Sequence, residues 1–309
     1  MSHIYIYSPS SAVRDKAAFR RGVRHLQKLG HEVEVDEAAL ASHMRFAGDD
    51  ATRVAAVGRA AASGADVALI SRGGYGLTRI LDDLPYRQMA RAVEKGTRFV
   101  GLSDFTALQC ALLARTGAVS WAGPALGEDF GVDQPDDIMQ ACFDDLLCGH
   151  GEGSGWTLPK RDLASLPVRS GSDSAAIRVN RALLWGGNLS VLSGLVGTPF
   201  LPSIKAGILF LEDVNEHPYR IERQLTQLLH AGVLARQRAI VLGAFTRYKA
   251  VPHDRGFKMQ TVVDWLRSQL KVPVLTGLPF GHVPTKVLLP VGEPVSLMVD
   301  GRDALLYWG

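Results

Sequence analysis

The stretch Val67-Ala-Leu-Ile-Ser-Arg-Gly-Gly-Tyr-Gly76 decides the fold. Its first four residues form an unbroken apolar run, the mark of a strand buried on both faces. The glycine-rich turn that follows marks the carboxyl end of that strand. Upstream, residues 52–63 are alanine-rich and helical, with Gly64 as the stop. Further upstream, a strand is predicted over 4–7 and another over 33–35. Between them Phe19, Val23, Leu26 and Leu29 recur at helical spacing, closed by Gly30. Downstream come a helix near 87–95, a strand over 99–102, a helix from Phe105 to about Arg115 and a strand over 118–121. This β-α-β-α order predicts a doubly wound parallel sheet of the flavodoxin-like or amidotransferase-like kind. In such sheets ligands bind at the carboxyl ends of the strands, where residues 73–76 and Ser103 both fall.

The alternation defines an N-terminal α/β domain over 1–148. From Cys148 to about Ser174 the pattern dissolves into Gly149-His-Gly-Glu-Gly-Ser-Gly155 and a Pro/Ser/Asp-rich stretch, read as a connection over 149–178. A second, strand-rich α/β domain is expected over 179–309. It opens with Trp185-Gly-Gly-Asn188 and a short helix carrying Leu189, Leu192 and Leu195. A strand over 208–211, a helix over 218–230 with Pro218 in its first turn, a strand over 239–242 and a helix over 259–270 follow. Strands near Val274, Val287, 295–299 and 305–307 complete it.

Composition narrows the function. The chain has 309 residues, 47% of them hydrophobic and 21% charged, enough for two domains with real cores. Its net charge of +3 is spread along the sequence, which gives no electrostatic case for nucleic acid or an anionic membrane surface as partner. No apolar run reaches the roughly 18 residues of a membrane span. The N-terminus reads as a first strand, not a secretory signal, so a cytoplasmic location is expected. Cys110, Cys142 and Cys148 are odd in number and lack C-x-x-C spacing, and they read as reduced thiols.

Ser103, in Gly101-Leu-Ser-Asp-Phe105, sits between a predicted strand and a predicted helix. A sharp turn there would lift its hydroxyl out of the sheet, with the backbone N–H of Asp104 facing a developing oxyanion. Ser and Asp also cap helices for purely structural reasons, and this segment alone leaves both readings open. Gly73 and Gly74 could supply a second oxyanion donor, cradle a phosphate, or form a plain tight turn. Glu212 ends a strand, where it could orient an imidazole or cap the helix that starts at Pro218, with Glu216 and Glu222 as competitors. His282, in Pro279-Phe-Gly-His282, follows a strand and a glycine that could give close access, with a surface or packing role as the alternative. No H-E-x-x-H or comparable ligand spacing occurs, so neither a metal nor another cofactor is expected.

Five blocks, taken in order, resemble the LD-carboxypeptidase (muramoyltetrapeptide carboxypeptidase) family. They are Arg72-Gly-Gly-Tyr-Gly76, Gly101-Leu-Ser-Asp-Phe-Thr106, Trp185-Gly-Gly-Asn-Leu189, Leu211-Glu-Asp-Val-Asn-Glu-His-Pro-Tyr-Arg220 and Gly277-Leu-Pro-Phe-Gly-His282. The resemblance implies Ser103 as nucleophile, Glu212 as the acid orienting the histidine, and His282 as base. It also implies an oxyanion hole from the amides of Asp104 and the Gly73–Gly74 loop. Arg72, Tyr75 and Asn188 are substrate-binding candidates, Arg72 because an exopeptidase must recognise a terminal carboxylate. The implied protein is a cytoplasmic homodimer. Its substrate is a murein tetrapeptide, free, sugar-linked or nucleotide-linked, cut between meso-diaminopimelate and D-alanine during peptidoglycan recycling. The rivals are a related immunity-type hydrolase of a peptidyl- or aminoacyl-nucleotide toxin, a flavin- or nucleotide-binding module, and a metal-dependent hydrolase.

Overall fold

The computed structural model of the protein describes residues 1–163 and 176–308. The strands, in chain order, are β1 (His3–Tyr7), β2 (Glu32–Val35), β3 (Val67–Ile70), β4 (Arg98–Gly101), β5 (Ser120–Ala122), β6 (Gly153–Thr157), β7 (Ala176–Asn188), β8 (Ile208–Val214), β9 (Ala239–Thr246), β10 (Val274–Thr276), β11 (Leu289–Val291), β12 (Pro294–Asp300) and β13 (Asp303–Tyr307). The helices are α1 (Lys16–Lys28), α2 (Asp50–Ala62), α3 (Tyr86–Glu94), α4 (Phe105–Thr116), α5 (Asp137–Cys148), α6 (Lys160–Leu163), α7 (Leu189–Gly194), α8 (Pro218–His230) and α9 (Met259–Gln269). Among the described residues no helix is long and apolar enough to cross a membrane.

The chain divides into two compact units. The first comprises Met1–Gly151, Thr198–Pro202 and Pro284–Val291. Its sheet runs β11-β5-β4-β3-β1-β2. β1 to β5 are all parallel, in the flavodoxin-like order 2-1-3-4-5, and β11 is added antiparallel to β5. Val67, Ala68, Leu69 and Ile70 of β3 have no exposed surface, as a central strand covered by helices on both faces demands. α1 buries the stripe Ala18, Phe19, Gly22 and Leu26, and Asp15 caps it by accepting a hydrogen bond from the Ala18 N–H at 2.8 Å. α4 is buried without interruption from Phe105 to Leu113, with Thr106 and Gln109 the polar members of an otherwise apolar run.

The second unit comprises Glu152–Gly197, Ser203–Val283 and Gly292–Gly309. Its seven strands run β10-β9-β8-β7-β12-β13-β6. β7 to β10 are parallel, and β12, β13 and β6 continue the sheet antiparallel.

Two boundaries differ from those expected. The stretch 149–178 is not merely a connection, because β6 lies within it and pairs with β13 along its length. Glycines at 153 and 155 deprive β6 of the alternating apolar pattern that announces a strand. Residues 164–175 of that stretch lie outside the described residues. The C-terminal half is also not continuous, since residues 284–291 belong to the first unit. Lys286, 2% exposed, forms an ion pair with buried Asp129 there, and Thr285 Oγ1 donates to Asp136 at 2.5 Å. A three-residue strand and one buried lysine leave no periodic signal.

Candidate active site

In the first unit Ser103 occupies the turn between β4 and α4 with φ at 65°, the left-handed region that costs a non-glycine residue about 1–2 kcal/mol. Asp104 follows with helical angles (φ −54°, ψ −24°), so its N–H belongs to the open first turn of α4. The chain approaches this turn closely from β3. A Cβ on Gly73 would lie 2.6 Å from Ser103 Cβ and 2.9 Å from its Oγ, so no other residue fits at 73 without displacing the serine. Sequence position put the glycine loop and Ser103 at the same sheet edge, and the structure brings them into contact.

Asp104 does more than follow the serine. Its side chain is buried, and Oδ2 accepts hydrogen bonds from Ser10 Oγ at 2.9 Å and from the Leu77 N–H at 2.8 Å. Burial pushes its pKa up to about 6, against the hydrogen bonds it accepts. Arg53, fully buried, donates to the carbonyls of Gly76 at 2.7 Å and Pro9 at 3.2 Å. The glycine loop is therefore held at its far end between a buried cation and a buried carboxyl group. Neither Arg53 nor the Asp104 side chain is visible as a site residue from spacing, because their partners lie in the segments after β1 and β3.

Arg72 donates to Ser11 Oγ at 2.6 Å and to the Ala12 carbonyl at 3.1 Å. Tyr75 is 47% exposed and packs against Phe46, with the Arg45 guanidinium 5.6 Å from its ring centre.

In the second unit Glu212 is fully buried at the end of β8, and its Oε2 lies 2.8 Å from His282 Nδ1. With the imidazole as donor in this contact, the ring hydrogen sits on Nδ1 and Nε2 is left as the basic nitrogen. The other carboxylate oxygen, Oε1, accepts from Asn188 Nδ2 at 3.1 Å. Asn188 pairs with Glu212 across β7 and β8, and its own oxygen accepts the Val191 N–H, which fixes the orientation of the amide. Asn188 is buried and holds Glu212.

A bulge explains how the histidine reaches the acid. Between Leu211↔Leu242 and Asp213↔Phe245 the register slips, so that Gly243 and Ala244 of β9 together face Glu212. The Ala244 N–H then donates to the Phe280 carbonyl at 2.8 Å, drawing the segment Phe280-Gly281-His282 against the strand end. Gly281 has φ at 134°, and a Cβ there would sit 3.2 Å from Glu212 Oε2. Asp213, next to Glu212, is also buried, and desolvation raises its pKa, with Glu212 adding to the effect. Ser190 opposes the rise by donating from both its N–H and its hydroxyl, each at 2.8 Å. Of the competing acids, Glu216 pairs with Arg220 on α8. A second histidine–carboxylate pair, His217 with Asp254 at 3.0 Å, lies beside Tyr219 and Tyr248.

Two family models match the chain in succession. Residues 4–123 match the LD-carboxypeptidase N-terminal domain and residues 181–297 the LD-carboxypeptidase C-terminal domain. A Streptomyces coelicolor protein assigned by inference as a carboxypeptidase is 35% identical over 305 residues, covering 97% of this chain and 91% of the relative. The crystal structure of muramoyltetrapeptide carboxypeptidase from Oxalobacter formigenes superposes with a TM-score of 0.85 at 36% identity, covering 100% of this chain and 99% of that one. The microcin C7 self-immunity protein MccF of Escherichia coli is 27% identical over 237 residues, 71% of this chain and 68% of its own. The fold is thus that of a two-part α/β peptidase. The chain belongs to the LD-carboxypeptidase family.

Proposed function

We propose that the protein is a serine-type LD-carboxypeptidase that hydrolyses the bond between meso-diaminopimelate and the terminal D-alanine of murein tetrapeptides. The observation that carries the reading is the Glu212–His282 hydrogen bond at 2.8 Å, which gives one family block the acid and another the base. Ser103, held at positive φ ahead of a helix, supplies a hydroxyl of the nucleophile-elbow kind. The likeness to a muramoyltetrapeptide carboxypeptidase supports the substrate class.

In this reading Ser103 Oγ attacks the carbonyl carbon of diaminopimelate while its proton passes to His282 Nε2. The Asp104 N–H and an amide of the Gly73–Gly74 loop stabilise the oxyanion. The C–N bond breaks, D-alanine leaves with the proton from His282, and an acyl ester remains on Ser103. Water then attacks that ester, giving its proton to His282, and Ser103 regains a hydrogen as the tripeptide departs. Glu212 holds the imidazole in the reactive tautomer and offsets the imidazolium charge. Ser103 belongs to the first unit and Glu212 and His282 to the second, so in this reading turnover draws on residues of both. It also carries the expectation of a cytoplasmic homodimer acting on peptides released in peptidoglycan recycling.

The test is release of D-alanine from free tetrapeptide by the purified protein, and its loss in Ser103→Ala, both followed by mass spectrometry. Intact tetrapeptide after prolonged incubation with the wild-type protein would remove the assignment. The likeness to MccF favours one second reading, cleavage of an aminoacyl- or peptidyl-nucleotide amide by the same residues. A parallel incubation assayed for released nucleotide separates the two.

A further inference from the structure

The first unit contains a cavity of about 310 Å³ walled by the β1–α1 loop (Val13, Arg14), the end of β3 (Ser71, Arg72) and the turn at Gly127 and Glu128. In the strand order 2-1-3-4-5 the connections from β1 and β3 leave the sheet in opposite directions, and the crevice between them is where doubly wound sheets take ligands. Ser8 Oγ and Ser71 Oγ mark the junction, 2.5 Å apart.

The cations of this cavity are poorly matched. The Arg72 side chain is 17% exposed, and its hydrogen bonds go to neutral oxygens of Ser11 and Ala12. The nearest carboxylate, Glu128, is 4.0 Å away. Burial holds the Arg72 pKa below its ordinary value; Arg14 and Arg45 push the same way, against Glu128. Arg14 is exposed and makes no hydrogen bond or ion pair among the described residues. The remaining charges are committed elsewhere: Asp15 caps α1, and Arg21 donates to the Gly131 carbonyl at 2.8 Å and lies 3.7 Å from Asp133.

This guanidinium is wired to the nucleophile turn. Arg72 Nη1 donates to Ser11 Oγ, Ser11 Oγ donates to the Gly73 carbonyl at 2.9 Å, and Gly73 abuts Ser103. A leaving amino acid carries its carboxylate one carbon from the scissile nitrogen, so the cation that reads it must stand close beside the nucleophile.

We propose that this cavity seats the terminal carboxylate of the substrate, with Arg72 as the binding group and Arg14 as an auxiliary cation. The proposal rests on the carboxypeptidase reading and adds what makes such an enzyme an exopeptidase. A carboxylate here turns an under-compensated buried guanidinium into a charge-assisted pair. It also tightens the Arg72–Ser11–Gly73 chain when a chain end is present.

The experiment compares two probes, the tetrapeptide with a free D-alanine carboxylate and the same peptide ending in D-alanine carboxamide. Binding is measured calorimetrically on Ser103→Ala, so that no turnover is needed, and kcat/KM is measured on the otherwise wild-type chain. The acid should bind about 10- to 100-fold more tightly than the amide. Adding Arg72→Met should bring that ratio to within about threefold of one, Arg72→Lys should restore part of it, and Arg14→Ala should lower it severalfold. Circular dichroism checks that each variant is folded. Equal affinity for acid and amide, or a ratio unchanged by Arg72→Met, overturns the proposal. So does an Arg72→Met loss that falls equally on both probes, which would mark Arg72 as a prop for the glycine loop. Arg72-dependent binding of the acid without any turnover would keep the carboxylate site and sink the catalytic reading instead.

Discussion

Glu212 Oε2 and His282 Nδ1 meet at 2.8 Å across 70 residues of chain, and the acid has no exposed surface. A buried carboxylate with one oxygen on the imidazole and the other on Asn188 fixes both ring orientation and tautomer. Glu212→Gln keeps the shape but can present an N–H to Nδ1, which favours the other tautomer. D-alanine release by this variant should fall by about 1,000- to 10,000-fold in kcat with KM little changed. A loss under tenfold would show that Glu212 does not orient the base.

Ser103 should weaken the fold it serves. Its φ of 65° is a conformation glycine adopts freely, so Ser103→Gly should abolish activity while raising the unfolding free energy by about 1 kcal/mol. Urea denaturation of the two proteins reads the difference. A less stable glycine variant would mean that the hydroxyl contributes more to packing than the turn costs.

Gly73 is needed for its missing side chain. A methyl group there falls 2.6 Å from Ser103 Cβ, below any real carbon contact, and the loop or the serine has to move. Gly73→Ala should reduce kcat at least about 100-fold, the scale of losing one oxyanion donor. Near-normal turnover would take this loop out of the site.

The buried pair Lys286–Asp129 ties residues 284–291 to the first unit, and its two partners should respond unequally to single and double changes. Burial raises the Asp129 pKa and Lys286 opposes the rise. Lys286→Met leaves a buried acid without its cation and should cost about 3–5 kcal/mol of stability, whereas adding Asp129→Asn should recover much of that loss. Thermal melts of the single and double variants test the coupling; additive losses would refute it.

Local chemistry in the sequence already carried much of this architecture. The apolar run 67–70, the helical spacing before Gly30 and the strand–serine–helix order at 101–105 each announce an element without its neighbours, and each element forms. Strand order, the bulge facing Glu212 and the return of residues 284–291 are products of pairing between distant segments and leave no periodic trace. The same division runs through the site. Ser103 follows β4, Glu212 lies near the carboxyl end of β8 and His282 in the loop after β10, positions that make them candidates. That Asn188 grips Glu212 is revealed only by its cross-strand register. Arg53 and the Asp104 carboxyl group leave no trace in spacing because their partners come from the segments after β1 and β3.

Asp104 offers a measurement that needs no substrate. Its carboxyl pKa, about 6 in the fold against an ordinary value of 3.8, means that the folded chain holds this proton more tightly than the unfolded one. A raised folded pKa contributes stability that is complete below pH about 4 and is lost as the pH rises through 6. By neutral pH the loss attributable to this group is about 3 kcal/mol. Asparagine cannot ionise, yet its oxygen can still accept from Ser10 Oγ and the Leu77 N–H, which share one oxygen of Asp104. Asp104→Asn should therefore gain on the wild-type protein in unfolding free energy as the pH is raised from 4 to 7. Urea titrations at half-unit pH steps follow that gain. Parallel curves for the two proteins would mean that this carboxyl group titrates normally despite its burial, and that the clamp on the glycine loop is not where the fold's pH sensitivity lies.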